Sequence, residues 1–248
     1  LDPHVVPQFV DQVRARATFD TLTGWSQDMT AEPRLAESVE PDAAGTRWRI
    51  RLRDTRWHDG RPLTADDVLF TFRRIADPAT TASAASLFTR VDLTASRAAG
   101  PREVEVVLTA PDFTFPLWLG APGSEIVAAG PTGFATPVGT GPFRFVSFPP
   151  GGPTVYTRND AYWDGAPPAP GLELTPIDEE QARLGALLSG QVAYAHDLRP
   201  ASARQVEAQG GRATLLTAPQ STTQFLNLRV DRPPFADPRV REAGRLGI

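Results

Sequence analysis

Residues 57–68 contain a short turn that runs directly into a helix, Trp57-His58-Asp59-Gly60-Arg61-Pro62-Leu63-Thr64-Ala65-Asp66-Asp67-Val68. His58-Asp59-Gly60 is typical of a tight turn with the glycine at positive φ. Thr64 can cap the following helix, and Asp67 stands where its carboxylate can complete a capping box. Asp66 and Asp67 are adjacent on the helix and therefore point in different directions. We interpret them as capping residues rather than as a paired acid–base site.

Upstream of this run, the chain predicts a helix and a strand. Apolar residues at helical spacing predict a helix from Val6 to about Thr21, with Gly24 as its stop. The segment 47–53 alternates strictly between arginines and apolar residues, which indicates a half-buried strand. We interpret the arginine face as solvated, because the chain is slightly acidic overall.

Downstream of the run, strands and helices are predicted in alternation. A strand is predicted at 103–108 and a short helix between 111 and 119. Two further strands, at 143–148 and 154–157, are predicted to form a hairpin. Later strands are predicted at 172–174, 192–195, 213–216 and 223–230, and later helices at 178–188, 200–209 and from Pro238 onward. This order is typical of an α/β fold, and we expect mixed sheets.

The composition narrows the possible classes of function. The chain has 248 residues, and its 25 basic residues, all arginine, against 29 acidic residues give a net charge of −4. This balance argues against nucleic-acid binding. The absence of cysteine excludes thiolate metal sites and cysteine nucleophiles, and the absence of lysine excludes Schiff-base chemistry. No apolar run reaches the roughly 18 residues of a membrane-spanning helix.

The sequence shows no local pattern for catalysis or metal binding. Its three histidines, His4, His58 and His196, are far apart, and no Gly-x-Ser-x-Gly elbow occurs. Gly139-Thr140-Gly141 resembles the beginning of a dinucleotide loop, but Arg144 stands at the third glycine position. We predict no catalytic residue, no metal and no cofactor.

Six segments in order resemble the family-5 extracellular solute-binding proteins, which are the dipeptide, oligopeptide and nickel receptors of ABC importers. They are Asp2-Pro3-His4, Leu35 to Ser38 with the 57–68 run, Val138 to Phe143, Arg158 to Trp163, Leu187 to Val192, and Phe225 to Asn227 with Pro233 to Arg241. One departure stands out. The family usually has Asp after its Gly-Glu-Val, where this chain has Ala193.

The resemblance implies a periplasmic-binding-protein-like fold of class II, the peptide-binding type. It implies that this chain is the first lobe of a two-lobed protein. We expect residues 1–44 and 170–236 to form a core subdomain with an α/β sheet, and residues 45–169 to form an inserted subdomain. Residues 237–248 would begin the crossing to a second lobe.

The resemblance also implies a receptor function outside the cytoplasm, in the periplasm or at the cell surface. Such a receptor binds a small solute, for which a peptide is favoured, and docks on the subunits of an ABC permease. We expect a lipid anchor on a precursor cysteine upstream of Leu1 as its sole membrane association. Two alternatives stay open, namely a peptide-sensing receptor without transport and a hydrolase.

Candidate solute-binding residues lie in loops near strand ends, where α/β sheets bind ligands. They are Thr23, Gly24 and Trp25 after the first helix, Gly139 and Thr140, and Ser221, Thr222 and Thr223 before the predicted crossing strand. Trp25 is suited either to stacking on a solute or to packing in the core. We interpret the His-Asp-Gly turn, the capped helix and Tyr162-Trp163 as scaffold.

Overall fold

The structure, a computed structural model, describes residues 1–6, 8–130, 133–208, 211, 213–217 and 228–247. The chain divides into two compact units, Leu1–Pro176 and Ile177–Ile248. The first unit combines helices with strands, as the predicted α/β class requires. The subdomain boundaries predicted at residues 44 and 169 stay a prediction.

The first unit is built from helices and antiparallel sheets. Its helices are α1 (Phe9–Thr18), α2 (Ala65–Ala76) and α3 (Phe115–Trp118). Its strands are β1 (Thr23–Trp25), β2 (Ala31–Pro33), β3 (Ala36–Pro41), β4 (Arg47–Leu52), β5 (Arg97–Gly100), β6 (Glu103–Val107), β7 (Phe143–Ser147), β8 (Thr154–Arg158) and β9 (Gly171–Leu174). The described strands pair in the orders β1-β2, β3-β4-β6-β5 and β7-β8-β9.

Helix α1 is shorter than the predicted segment 6–21, and the prediction that Gly24 stops it is wrong. The helix ends at Thr18, because Phe19 adopts an extended backbone with φ −120° and ψ 157°. The carbonyl of Thr18 accepts the N–H of Gly141 at 2.8 Å. The Thr18 carbonyl thus accepts from a distant segment rather than from the N–H that a further helical turn would supply. Gly24 lies in β1 and not at the helix end.

Strand β4 confirms the alternation predicted for residues 47–53. Its buried residues are Trp48, Ile50 and Leu52. On the exposed face, Arg47 pairs with Glu105 at 2.9 Å and Arg51 pairs with Glu37 at 3.2 Å. This face is a solvated ladder of ion pairs with neighbouring strands, each worth about 0–1 kcal/mol.

The turn and the cap at the start of α2 are confirmed. Gly60 has φ +90°. Asp67 accepts the N–H of Thr64 at 2.8 Å and its hydroxyl at 3.0 Å, and also the N–H of Ala129 at 2.7 Å. Asp66 points to solvent. The two carboxylates therefore do different things, and Asp67 fixes both the helix start and a distant loop.

The main hydrophobic core lies between α2 and the four-stranded sheet. Fully buried side chains of this core include Ile50, Leu52, Val68, Ile75 and Val104. The rings of Phe72 and Phe88 add a tilted aromatic pair, with centroids 5.1 Å apart. Strand β3 lies at the edge of this sheet and also contacts β2, so the core supports the small β1-β2 hairpin.

The positions of the other helices and strands predicted for the first unit are also confirmed, whereas all named pairings of the described strands are antiparallel, so the expected mixed sheets are not found there. The strands expected at 103–108 and 172–174 are β6 and β9, and α3 lies within the segment 111–119. Strands β7 and β8 form the predicted antiparallel hairpin, to which β9 adds. Helix α1 lies against β7, and Arg14 donates to the hydroxyl of Thr154 at 2.9 Å.

The second unit contains α4 (Glu180–Leu188), α5 (Pro200–Glu207) and α6 (Pro238–Leu246), which confirms the three predicted helices. The strands predicted at 192–195 and 213–216 are wrong, because neither segment forms a strand. Gly190, at φ +78°, follows the end of α4, and Arg183 donates to the carbonyl of Asp197 at 3.1 Å, which holds the intervening residues as a loop. A short apolar run needs a neighbouring strand, and the described residues of this unit provide none.

The strand predicted at 223–230 falls mostly outside the described residues, and its last three residues are not in a strand. Among the described residues, no helix is both long and apolar enough to cross a membrane.

Candidate functional site

The candidate residues Thr23, Gly24 and Trp25 form β1, which is fastened to the segment of α3. Thr23 is buried, and its hydroxyl donates to the carbonyl of Pro116 at 2.6 Å. Trp25 leaves 41% of its surface exposed, while its indole N–H donates to the carbonyl of Leu117 at 2.8 Å. The bond fixes the indole at the surface, where one part of it stays open to contact.

A cavity of about 220 Å³ opens beside Thr23, between β2, β3 and Pro116. Its wall combines small apolar residues with Thr23, Glu32 and Ser38. Pockets for whole drug-sized ligands usually measure about 300–1,000 Å³. This cavity is therefore of a size to take one side chain or one end of a small solute.

The candidate residues Gly139 and Thr140 are buried under the end of α1. A Cβ atom on Gly139 would lie 1.8 Å from the carbonyl oxygen of Thr18, and one on Gly141 would lie 2.6 Å from its carbonyl carbon. Glycine is required at both positions because backbone passes directly over backbone. This contact explains the Gly-Thr-Gly spacing as a packing feature.

Asp20 is the centre of a polar group, here called the Asp20 cluster, in which Asp20 and Thr140 are buried and Tyr162 and Trp163 are partly buried. Its carboxylate accepts hydrogen bonds from the Thr140 hydroxyl at 2.9 Å, the Tyr162 hydroxyl at 2.8 Å and the Trp163 indole at 3.1 Å. Burial raises the pKa of Asp20, and the three hydrogen bonds oppose that shift. The cluster ties three distant segments into one scaffold.

His58 extends this scaffold through both nitrogens of its ring. Nε2 lies 2.9 Å from the carbonyl oxygen of Gly141, to which it donates, and Nδ1 accepts the N–H of Gly139 at 3.3 Å. Burial lowers the pKa of His58, in keeping with a neutral ring that has one donor and one acceptor nitrogen. Arg144 donates to the carbonyl of His58 at 2.7 Å and to Asn159 at 3.0 Å. The interpretation of His58 as a structural turn residue is confirmed.

The structure thus separates the described candidates by exposure. Thr23, Gly139 and Thr140 are buried, Gly24 is partly exposed, and Trp25 has the most exposed side chain of the five. Ser221, Thr222 and Thr223 lie outside the described residues. Solute binding by all eight stays a prediction. Within the described part of the chain, no group of three or more His, Asp or Glu side chains could hold a metal ion.

Sequence reasoning missed two residues of this region, Asp20 and Arg34. Asp20 is a single acid between Phe19 and Thr21, with no periodicity or motif to mark it. Arg34 lies just after β2, and its side chain lies over Gly24. The position of an acidic residue directly after the apolar face of a predicted helix is the one weak signal for Asp20. The sequence contains no signal for Arg34.

Comparison with known proteins identifies a family and several relatives. The family model described as bacterial extracellular solute-binding proteins, family 5 Middle, matches residues 30–248. The glutathione-binding protein GsiB of Pectobacterium atrosepticum is 25% identical over 251 residues, covering 98% of this chain and 48% of that protein. This chain therefore spans about half the length of the relatives it matches.

Solved structures show the same fold. The binding protein MoaA of A. tumefaciens R10, in complex with mannopinic acid, superposes with a TM-score of 0.82 at 25% identity, covering 98% of this chain and 51% of that one. AgaA of the same strain, in complex with agropinic acid, has a TM-score of 0.72 at 28% identity, covering 77% of this chain and 40% of that one. The predicted periplasmic-binding-protein-like α/β class is confirmed.

Proposed function

This chain belongs to the bacterial extracellular solute-binding proteins of family 5, and from that premise we propose that its protein binds a small peptide-like solute and delivers it to an ABC import permease. Proteins of this family are binding receptors rather than enzymes, so the prediction of a non-enzymatic protein is confirmed by membership. The family places the protein outside the cytoplasm. The lipid anchor on a precursor cysteine is part of the proposal.

The peptide-like class is supported by the similarity to GsiB, a glutathione-binding protein. Glutathione is a tripeptide with free carboxylates. MoaA and AgaA were solved with mannopinic and agropinic acids, which makes opines the alternative solutes to test. The residues predicted from the sequence for this site are Thr23, Gly24, Trp25, Gly139 and Thr140, with Ser221, Thr222 and Thr223, and of these we assign direct solute contact to Trp25.

One observation supports the proposed site, namely that the side chain of Trp25 is exposed whereas Thr23 and Thr140 are buried. The indole of Trp25 is fixed by its bond to Leu117 yet 41% exposed. Thr23, two residues earlier in β1, and Thr140, in the Asp20 cluster, are buried and hydrogen-bonded within the protein. We assign Trp25 as a contact surface for the solute, held by its bond to Leu117 and by the bond of Thr23 to Pro116. A fixed aromatic side chain loses little conformational freedom on binding.

Calorimetry on the full-length protein tests this proposal. The probes are glutathione, tri-alanine, mannopinic acid and agropinic acid. We expect a peptide-like probe to bind, and Trp25→Ala to weaken its binding about tenfold or more, equal to about 1.4 kcal/mol. Phe113→Ala removes an aromatic side chain that is also exposed and serves as the control. Unchanged affinity in Trp25→Ala would remove Trp25 from the site.

Uptake of the bound probe by cells separates transport from sensing. We expect cells that lack the protein to lose uptake and to regain it with the wild-type gene. Normal uptake without the protein, together with tight binding in vitro, would favour the sensory receptor. Cleavage of the probe on incubation would favour the hydrolase.

A further inference from the structure

Arg34 lies against the candidate strand β1 with its backbone firmly held. Its N–H donates to the carbonyl of Leu22 at 3.1 Å, and its own carbonyl accepts from Arg53 at 3.0 Å. The side chain runs over Gly24, where an added Cβ atom would lie 3.1 Å from the Arg34 Nε atom. The missing side chain at Gly24 therefore leaves the space that Arg34 occupies.

The guanidinium of Arg34 is poorly satisfied for a group with five N–H donors. Its ion-pair partner, Asp164, lies 3.8 Å away, and the two side chains are 44% and 59% exposed. In the part of the chain that the structure describes, this guanidinium donates no hydrogen bond. Glu32, which faces Gly24 across the hairpin, makes no ion pair with it there. By contrast, each of the three guanidinium nitrogens of Arg144 donates a hydrogen bond, at 2.7–3.3 Å.

The surroundings favour an anion at this point. Arg53 adds a second cation beside Arg34, with its guanidinium stacked 4.5 Å from the centre of the Trp163 ring. Asp20, the other nearby carboxylate, is buried and already accepts three hydrogen bonds. Among the described residues, the exposed carboxylate of Asp164, 3.8 Å away, is thus the one ion-pair partner of Arg34.

We propose that Arg34 binds a carboxylate of the solute and selects for solutes that carry one. A guanidinium presents two parallel N–H groups that match both oxygens of a carboxylate, and such paired bonds are stronger than neutral ones. The solute carboxylate displaces the loose contact with Asp164. Solutes in which that carboxylate is an amide lose the paired bonds. This inference rests on the proposed function and adds a substrate class to it.

Calorimetry on the full-length protein, with each probe as free acid and as carboxamide, tests the inference. The probes are glutathione and tri-alanine. For the wild type we expect the acid to bind about 10–100-fold more tightly than the amide. In Arg34→Gln that preference should disappear through weaker binding of the acid, with the amide unchanged. Arg34→Lys keeps the charge but not the paired geometry and should retain part of the preference.

The control is Arg102→Gln, because Arg102 is 46% exposed and also has a 3.8 Å ion pair, with Asp54. We expect it to bind like the wild type. If Arg34→Gln keeps the full acid preference, or if the wild type binds acid and amide equally, this inference is overturned while solute binding stands. If the wild type binds none of the probes, the proposed function fails and this inference fails with it.

Discussion

Replacing Asp20 by alanine tests whether the Asp20 cluster holds the first unit together. The carboxylate accepts hydrogen bonds from Thr140, Tyr162 and Trp163 at 2.9, 2.8 and 3.1 Å. These donors lie 120 to 143 positions along the chain from Asp20. Asp20→Ala leaves all three without their acceptor, Thr140 in a buried position and Tyr162 and Trp163 in partly buried ones. We expect a folded protein with a much lower free energy of unfolding.

The decrease in the free energy of unfolding of Asp20→Ala is the sum of two opposing contributions. A buried donor left unpaired costs about 1–3 kcal/mol, and because Tyr162 and Trp163 are only partly buried, the three together cost at most about 3–9 kcal/mol. The substitution also removes the cost of burying a carboxylate, the same burial that raises the pKa of Asp20. We therefore expect a loss near the lower end, about 3–5 kcal/mol. Asp20→Asn keeps one acceptor oxygen and should lose about 1–3 kcal/mol.

Urea unfolding at pH 7, followed by tryptophan fluorescence, measures these losses, because Trp163 belongs to the cluster. Asp160→Ala is the matched control. Asp160 is an exposed carboxylate paired with Arg158 at 2.6 Å, and its removal should cost less than about 1 kcal/mol. A loss for Asp20→Ala no larger than that of the control would show that the cluster does not hold the unit together.

Three further substitutions give separate tests, all measurable as urea midpoints. Gly139→Ala should lower the free energy of unfolding by about 2–3 kcal/mol or more, because its Cβ would lie 1.8 Å from the Thr18 oxygen. Gly133→Ala is the control, because its Cβ would meet no atom within 4 Å, and it should change that free energy by less than about 0.5 kcal/mol. Burial raises the pKa of Glu125 to about 7, above its unfolded value, so the contribution of this residue to the free energy of unfolding should fall by about 2–3 kcal/mol as pH rises from 4.5 to 7, opposite in sign to that of His4. Glu125→Gln should remove this part of the pH slope, and a variant with the wild-type slope would contradict the assignment. Burial lowers the pKa of His4 to about 4, so the stability contributed by its neutral ring is present above pH 6.5 and is lost as pH falls through 4. His4→Gln should reduce this loss of stability in acid, and an unchanged loss would count against the assignment.

Elements set by local chemistry could be predicted from the sequence. The alternation of residues 47–53 specified β4, since each inward position holds a large apolar residue. Thr64 and Asp67 specified the start of α2, because a capping box involves only residues three apart. Pro238 after Asp237 specified α6, where the Asp237 carboxylate accepts the N–H of Arg239 at 2.9 Å.

Features set by distant partners could not be predicted. The end of α1 depends on a bond from Gly141 to the carbonyl of Thr18. Strands of three residues, such as β1 and β2, are too short to show a period, so the hairpin that holds Trp25 was missed. The segment 192–195 had strand-like residues but no neighbouring strand in the described part of its unit. The same limit applies to the site, because the position of Arg34 over Gly24 exists only after folding.

Native mass spectrometry of the full-length protein, purified from its host without added ligand, tests the central claim most directly. A solute-binding receptor should carry one small solute per protein molecule, with a mass in the range of a short peptide. That solute should be recovered chemically intact when the protein is denatured. Recovery of cleavage products in place of an intact solute, or a protein that carries no solute and binds none of the four probes, would contradict the account.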